Sequence, residues 1–220
     1  MKYYPVFLRL AGRRCVVVGG GEVAERKVRS LLAAGAQVAV VSPSLTAELA
    51  ALAVRGEIEH AARPYRTGDL AGALLAYAAT DDESLHEDIS NEAQASGVLL
   101  NVVDRPRWCG FIVPSIMARG DLTVAVSTAG GSPALARRVR EEIECALGPE
   151  YERALDVLAR LRRHLQERPL SSADRQRILT GLVASDLLDR LREPDRVGVD
   201  RLLAEHAGRD VSLASLGAEL

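Results

Sequence analysis

The chain has 220 residues, and 28 Lys and Arg against 30 Asp and Glu leave a formal net charge of −2. Its hydrophobic fraction of 48% and charged fraction of 26% are those of an ordinary globular protein of one or two domains. Aromatics make up only 4% and there is no overall basic excess, which argues against a dedicated nucleic-acid binder. The three cysteines (Cys15, Cys109 and Cys145) and four histidines are too scattered for a disulfide framework or a transition-metal cage, so no metal site is expected. Apolar runs such as Ala73–Ala79 are too short to cross a bilayer, and the first residues lack the apolar core of a signal peptide. The expectation is a cytoplasmic protein that handles small molecules, with neither a membrane nor a nucleic acid as partner.

The first hundred residues alternate strand and helix signals. Cys15–Val18 is a β-branched run ending at Gly19-Gly20-Gly21, and residues 22–34 read as a helix stopped by Gly35. A strand follows at 38–41, then a helix at 46–55, a short strand at 58–62, a strand at 74–79, a helix at 82–96 and a strand at 98–103. Strands apolar on both faces that alternate with helices predict a parallel sheet covered on both sides. After Asp104 the pattern changes. Phe111-Ile112-Val113 and Leu122–Val126 read as strands with no helix between them, and Ser132-Pro133 opens a helix running to about residue 147. Residues 150–220 carry only helical periodicity. The fold class is α/β: a Rossmann-like parallel sheet over 1–113, a small α+β segment over 114–149, and an all-helical C-terminal domain over 150–220.

The turn Gly19-Gly20-Gly21-Glu22-Val23-Ala24 fits G-x-G-x-x-G/A and stands where the motif has mechanical meaning, between a strand and a helix. Gly19 permits the tight turn, Gly21 lets backbone approach a pyrophosphate, and Ala24 allows close packing of helix on strand. The helix start, with Glu22 and Val23, offers unpaired N–H groups to phosphate. A dinucleotide cofactor is expected. At the end of the second strand, where a carboxylate often holds the ribose of NAD, the chain has Ser42-Pro43-Ser44. A serine hydroxyl or backbone would serve there, and no arginine is at hand for a 2′-phosphate, which favours NAD over NADP. Thr80 and Asp81 after the fourth strand, and Asn101 on the fifth, point at the same crevice and complete the candidate cofactor residues.

Asp104 ends the fifth apolar strand, where burial and neighbours would tune it for general-base work; an aspartate capping a turn is the equal alternative. Six arginines (Arg105, Arg107, Arg119, Arg137, Arg138 and Arg140) lie within residues 105–140, where Asp121 is the one carboxylate. That local positive field suits a polyanionic small molecule. Ser127-Thr128-Ala129-Gly130-Gly131 leads into a helix and would present N–H groups to an anion, or be a plain N-cap with a flexible lead-in.

These segments together resemble the precorrin-2 dehydrogenase/sirohydrochlorin ferrochelatase family, which also forms the N-terminal half of siroheme synthase. The matching pieces are Tyr4–Phe7, Val17–Lys27, Ala78–Asp82, Asn101–Asp104, Phe111–Ile116 and Val124–Arg137, in the right order and spacing over about residues 1–147. The family often has a second serine where this chain has Thr128. The resemblance implies an intertwined homodimer with 114–149 as its dimerisation region, and NAD-dependent oxidation of precorrin-2 to sirohydrochlorin. In some members Fe2+ then enters as a second substrate. It implies Asp104 as general base, and the tetrapyrrole held by Arg105, Arg119, Ser127, Thr128, Gly130, Gly131 and Arg137. Two other readings stay open: a non-enzymatic NAD-sensing regulatory module, and a dehydrogenase of another small anionic substrate.

Overall fold

The computed structural model describes residues 2–80 and 82–219, and the chain divides into two units, Met1–Val113 and Pro114–Leu220. In the first unit, strands β1 (Arg14–Val18), β2 (Gln37–Val41), β3 (Ile58–Ala61), β4 (Leu75–Ala78) and β5 (Leu99–Val102) form one sheet in the order β3-β2-β1-β4-β5. Every pairing is parallel. Helices α1 (Glu22–Ala33), α2 (Ala47–Val54) and α3 (Glu83–Ser96) connect the strands. The chain order reverses between β1 and β4, and a sheet of this kind opens its ligand crevice beyond the carboxyl ends of the strands at that point.

Alternation along the strands divides the core into two layers. Cys15, Val17, Val38, Val40, Leu75 and Tyr77 face α1 and α2, with Ala24, Val28 and Leu31 of α1 spaced by helical turns to meet them. Val16, Val18, Ala39, Val41, Ala76 and Ala78 face the other way, onto Ile89 and Ala93 of α3. That second layer encloses one carboxylate. Glu92 accepts hydrogen bonds from the Tyr65 hydroxyl and from the amides of Gly68 and Leu70, 2.8 Å each. It organises the loop between β3 and β4; burial, with the Glu92 carboxylate adding to it, pushes the Tyr65 phenol well up. Glu92→Ala leaves the buried Tyr65 hydroxyl and Leu70 amide, and the exposed Gly68 amide, without their acceptor, so it is expected to cost about 3 kcal/mol and to lower Tm by roughly 10 °C in a calorimetric scan.

In the second unit, β6 (Ser115–Arg119) and β7 (Leu122–Val126) form an antiparallel hairpin turned at Gly120-Asp121, followed by α4 (Pro133–Ala146). The strand expected at 111–113 is not one. Pro114 cannot donate to a ladder, and Phe111 instead packs edge-on against Tyr77, 5.6 Å between ring centroids. Pairing begins one residue after the proline, at Ser115. Helices α5 (Glu150–Gln166), α6 (Ser172–Val183), α7 (Leu187–Arg192), α8 (Arg196–Ala207) and α9 (Leu213–Leu216) share a core of Val157, Leu161, Leu165, Leu182, Leu203 and Leu213 among others. No helix among the described residues is long and apolar enough to cross a membrane.

Candidate functional site

Three segments leave the carboxyl ends of β1, β4 and β5 and build the site of the first unit. Gly19 has φ 120°, and a Cβ on it would lie 2.2 Å from the carbonyl oxygen of Ala79. A Cβ on Gly20 would lie 1.9 Å from the Ser44 carbonyl oxygen. Both residues are therefore glycine because the turn is clamped between the ends of β4 and β2. The Gly19 amide donates to Val41 O at 2.9 Å, and the Thr46 amide to Gly20 O at 2.9 Å, which ties the turn down.

Gly21 differs from its two neighbours. A Cβ there would meet no atom within 4 Å. It is the N-cap residue of α1, with φ −85°, and no side chain caps the helix. An uncapped N-terminus of twelve residues' worth of helix, opening onto free space behind a glycine, is the cradle that a pyrophosphate requires. Glu22 is exposed and Val23 half-buried at this start. The residues present thus fit a dinucleotide.

At the end of β2 the three candidates separate. Ser42 is 6% exposed, and its hydroxyl donates to Ser44 O at 2.7 Å while its carbonyl meets His60 Nε2 at 2.9 Å. Ser42 thus shapes the turn, and Pro43 and Ser44 are the exposed pair. After β4, Thr80 Oγ1 accepts from the Asp82 amide at 3.2 Å and Thr80 O meets His86 Nε2 at 3.1 Å. Asp81 lies outside the described residues. Asn101 donates through Nδ2 to Phe111 O at 3.0 Å, so its amide fastens β5 to the segment that follows.

That segment carries Asp104. Contrary to the expectation of burial, Asp104 is exposed, because β5 ends at Val102 and Asp104 stands two residues beyond it in the left-handed region, φ 58°. It projects from a turn that Cys109 organises, the thiol donating to the carbonyls of Val102 (3.2 Å) and Arg105 (3.4 Å). Asp104 and Arg105 line two adjoining cavities. One of about 360 Å³ is bounded also by Val23, Ala79, Thr80, His86 and Val103. The other, of about 340 Å³, is bounded by Glu83, Pro106 and Arg107. Val23 and Thr80 place the first of these beside the glycine turn.

Lys27 ends the Val17–Lys27 stretch, and the sequence assigns it no role of its own. It lies one helical turn past Val23 on α1, half-buried, with Nζ 5.1 Å from the centroid of the Tyr77 ring. Burial draws its ammonium below the ordinary lysine range, Arg26 adds to that, and Asp104 opposes it. No signal in a single sequence marks it, since the ring beneath it comes from β4, 50 residues on.

The arginine field is corrected by the structure. Arg105 pairs with Glu83, Arg119 with Glu144 (3.6 Å), Arg137 with Glu141 (3.0 Å), Arg138 with Glu142 (2.7 Å), and Arg140 with Glu141 (3.0 Å) and Glu144. The acids at 141, 142 and 144 stand just past the 105–140 stretch, one helical turn from Arg137, Arg138 and Arg140, and with Glu83 they offset most of its charge. Arg107 instead stacks on Trp108, its Cζ 5.2 Å from the ring centroid.

The loop at 127–132 in the second unit is largely self-satisfied. Thr128 Oγ1 donates to Ser132 O (2.9 Å) and accepts from the Ser132 amide (3.1 Å). Ser127 Oγ accepts from the Ala129 amide (3.1 Å), and the Gly131 amide donates to Thr128 O (2.9 Å). Ala129 (φ 54°) and Gly130 (φ 85°) bend the loop so that Ser132 caps α4 through the Leu135 amide at 3.2 Å. It is a built N-cap, and Ala129 and Gly130 supply the bend.

A family profile described as "Putative NAD(P)-binding" matches residues 6–115, half of the chain, and one described as "Sirohaem biosynthesis protein central" matches residues 119–145. A siroheme synthase of Methylobacillus flagellatus is 41% identical over 209 residues, 93% of this chain and 44% of that protein. One of Aeromonas salmonicida is 40% identical over 224 residues, 99% of this chain and 48% of that protein. The chain thus spans about half the length of these relatives. The solved structure of the precorrin-2 dehydrogenase SirC superposes with a TM-score of 0.72 at 25% identity, covering 87% of this chain and 96% of SirC. The nucleotide cradle, the antiparallel hairpin with its following helix, and these likenesses place the chain in the precorrin-2 dehydrogenase/sirohydrochlorin ferrochelatase family, which is also part of siroheme synthase.

Proposed function

We propose that this chain oxidises precorrin-2 to sirohydrochlorin with NAD as hydride acceptor. The observation that carries the reading is the uncapped glycine-turn helix opening beside a cavity that Asp104 lines. The likeness to SirC along nearly its whole length supports the reaction. When bound, the nicotinamide takes up the hydride; the residues of this chain hold the dinucleotide and manage the proton.

The amides at the start of α1 receive the pyrophosphate, and Ser44 is the exposed hydroxyl at the ribose side, with no carboxylate or arginine of the 42–44 turn to choose otherwise between NAD and NADP. Asp104 accepts the proton that leaves the macrocycle as it is oxidised. Being exposed, it returns that proton to water directly. The substrate carries many carboxylates. Surface ion pairs are worth only about 0–1 kcal/mol each, so Arg105, Arg119 and Arg137 can exchange their glutamate partners for substrate carboxylates at little cost, and Arg107 offers itself without exchange. Ser127, Thr128, Gly130 and Gly131 give the tetrapyrrole a shaped loop to lie against rather than a set of free amides.

The test is NAD+-dependent conversion of precorrin-2 followed by absorption. Sirohydrochlorin formation with NAD+ and a slower rate with NADP+ is the expected result; tight NAD binding without conversion would favour a sensing module. Metal insertion is proposed as a second activity. Among the described residues no three His, Cys, Asp or Glu gather to hold a metal ion, so any Fe2+ delivered to sirohydrochlorin is met by transient ligation. Anaerobic incubation of sirohydrochlorin with Fe2+ or Co2+ decides it by the spectrum. We further read residues 114–149 as a dimerisation region and 150–220 as a helical domain. The exposed apolar side chains of Val113 and Ile116 beside the hairpin support a homodimer.

A further inference from the structure

We propose that Cys109 is a positioning residue for Asp104: its thiol takes the place of a strand partner at the open edge of β5 and holds the turn that presents the carboxylate to the crevice. The inference rests on the reading of Asp104 as the base of the dehydrogenation.

β5 is the last strand of the sheet, so one of its edges has no strand beside it. The amide of Val103 donates to Ala78 O on the β4 side at 3.0 Å. Backbone groups alternate in direction along a strand, so the amide and carbonyl of Val102 point to the open edge. The chain folds back there. The Gly110 amide donates to Leu100 O at 2.8 Å. Cys109 Sγ accepts from the Val102 amide at 3.3 Å and donates to Val102 O at 3.2 Å. A backbone amide and carbonyl left at a sheet edge require partners, and this one side chain serves both.

The same sulfur reaches across the turn that follows. Val102 O also accepts from the Arg105 amide at 3.2 Å, which closes a four-residue turn with Val103 and Asp104 at its centre. Asp104, the third residue, is left-handed at φ 58°, and Val103 is not. That arrangement favours glycine or asparagine at the third place. Cys109 Sγ lies 3.4 Å from Arg105 O, so its one S–H proton is shared between the carbonyls of the first and last residues of the turn. Asn101 Nδ2 approaches the sulfur from β5 at 3.6 Å. A left-handed residue other than glycine persists where its surroundings hold it there. Here the thiol grips the turn at both ends and leaves the Asp104 carboxylate free, with no hydrogen bond to it among the described residues. Burial pushes the half-buried Cys109 thiol up, so it keeps its proton, and with it the donor, at neutral pH.

Two measurements test this. The first needs no substrate. A positive φ brings an amide proton close to its own Hα, so the intraresidue amide–Hα cross-peak of Asp104, in NMR of the whole chain, reports the turn directly. In Cys109→Ala that cross-peak is expected to weaken as the turn leaves the left-handed region. In Cys109→Ser, which keeps a donor and an acceptor in the same place, it is expected to hold the parent intensity. Parent intensity in Cys109→Ala overturns the proposal. The second measurement is kinetic. Cys109→Ala is expected to lower kcat for precorrin-2 oxidation about 10–100-fold, the scale set by a misplacement of roughly 1 Å, with unchanged Kd for NAD, and Cys109→Ser to restore most of the rate. A general loss of structure lowers the rate in any background, whereas a residue that acts through Asp104 lowers it no further once the carboxylate is gone. The effect of Cys109→Ala is therefore expected to vanish in the Asp104→Asn chain, and a full effect there overturns the role. If the parent chain itself does not oxidise precorrin-2, the functional reading falls, while the cross-peak still decides whether the thiol holds the turn.

Discussion

Asp104→Asn is expected to lower kcat/KM for precorrin-2 oxidation by about 10²–10⁴-fold, the range over which a positioned base acts, while leaving the Kd for NAD within about twofold and Tm essentially unchanged. The separation of the three readouts follows from the surroundings of the residue. Asp104 is exposed, and its side chain makes no hydrogen bond or ion pair among the described residues, so nothing in the fold depends on its carboxylate. Its backbone is the one structural demand: at φ 58° it occupies the left-handed region, which asparagine tolerates nearly as well as aspartate. Asparagine therefore removes the proton acceptor and keeps the turn. Asp104→Ala should lose the same activity with little change in Tm, because the aspartate it replaces carries the same Cβ at φ 58° and makes no side-chain hydrogen bond among the described residues. Asp104→Gly, which relieves the backbone, should be at least as stable as the parent and equally inactive. Parent-like turnover in Asp104→Asn would remove Asp104 from the chemistry and leave it as the cap of a turn.

The parts of the site that were legible in the sequence are those made by one short stretch of chain. The glycine turn is such a part, since strand, turn and helix start all lie within residues 14–24, and the requirement for glycine at 19 and for closeness at 24 is local. The bounds of the five strands were legible to within a residue for the same reason. Misreadings arose wherever a partner lies outside the stretch in view. The arginines of 105–140 looked like an unbalanced field because their acids stand at 141, 142 and 144, one helical turn later, and at 83 in the other direction. Phe111–Val113 has the composition of a strand, but Pro114 bars its pairing and the Tyr77 ring gives Phe111 another use. Asp104 looked buried because the run before it is apolar, whereas the sheet stops two residues short of it. Lys27 had no legible place at all: half-burial and a ring below it are properties of the folded sheet and of no window of sequence.

Gly21→Asp is expected to raise the Kd for NAD by at least about 100-fold, equivalent to ~2.7 kcal/mol, without lowering Tm. A Cβ at this position meets nothing within 4 Å, and the residue already has the extended backbone of a helix N-cap, φ −85° and ψ −173°, with no side chain serving α1. Aspartate is among the best residues for that position and would accept from the first amides of α1, worth up to ~1 kcal/mol to the helix. Those are the amides that the pyrophosphate needs, so the new carboxylate occupies the anion site from within and repels the ligand as well. Stability held or gained together with binding lost is a result that a general disruption of the turn cannot produce. Gly20→Ala supplies the contrast: its Cβ would be driven to 1.9 Å from Ser44 O, so the turn must shift, and Tm and NAD affinity are expected to fall together. Isothermal titration of NAD with a thermal scan of both variants distinguishes the two patterns. An unaltered NAD titration in Gly21→Asp would show that the pyrophosphate is not held at the start of α1, and with it the placement of the cavity beside Asp104 as the hydride-transfer site would fall.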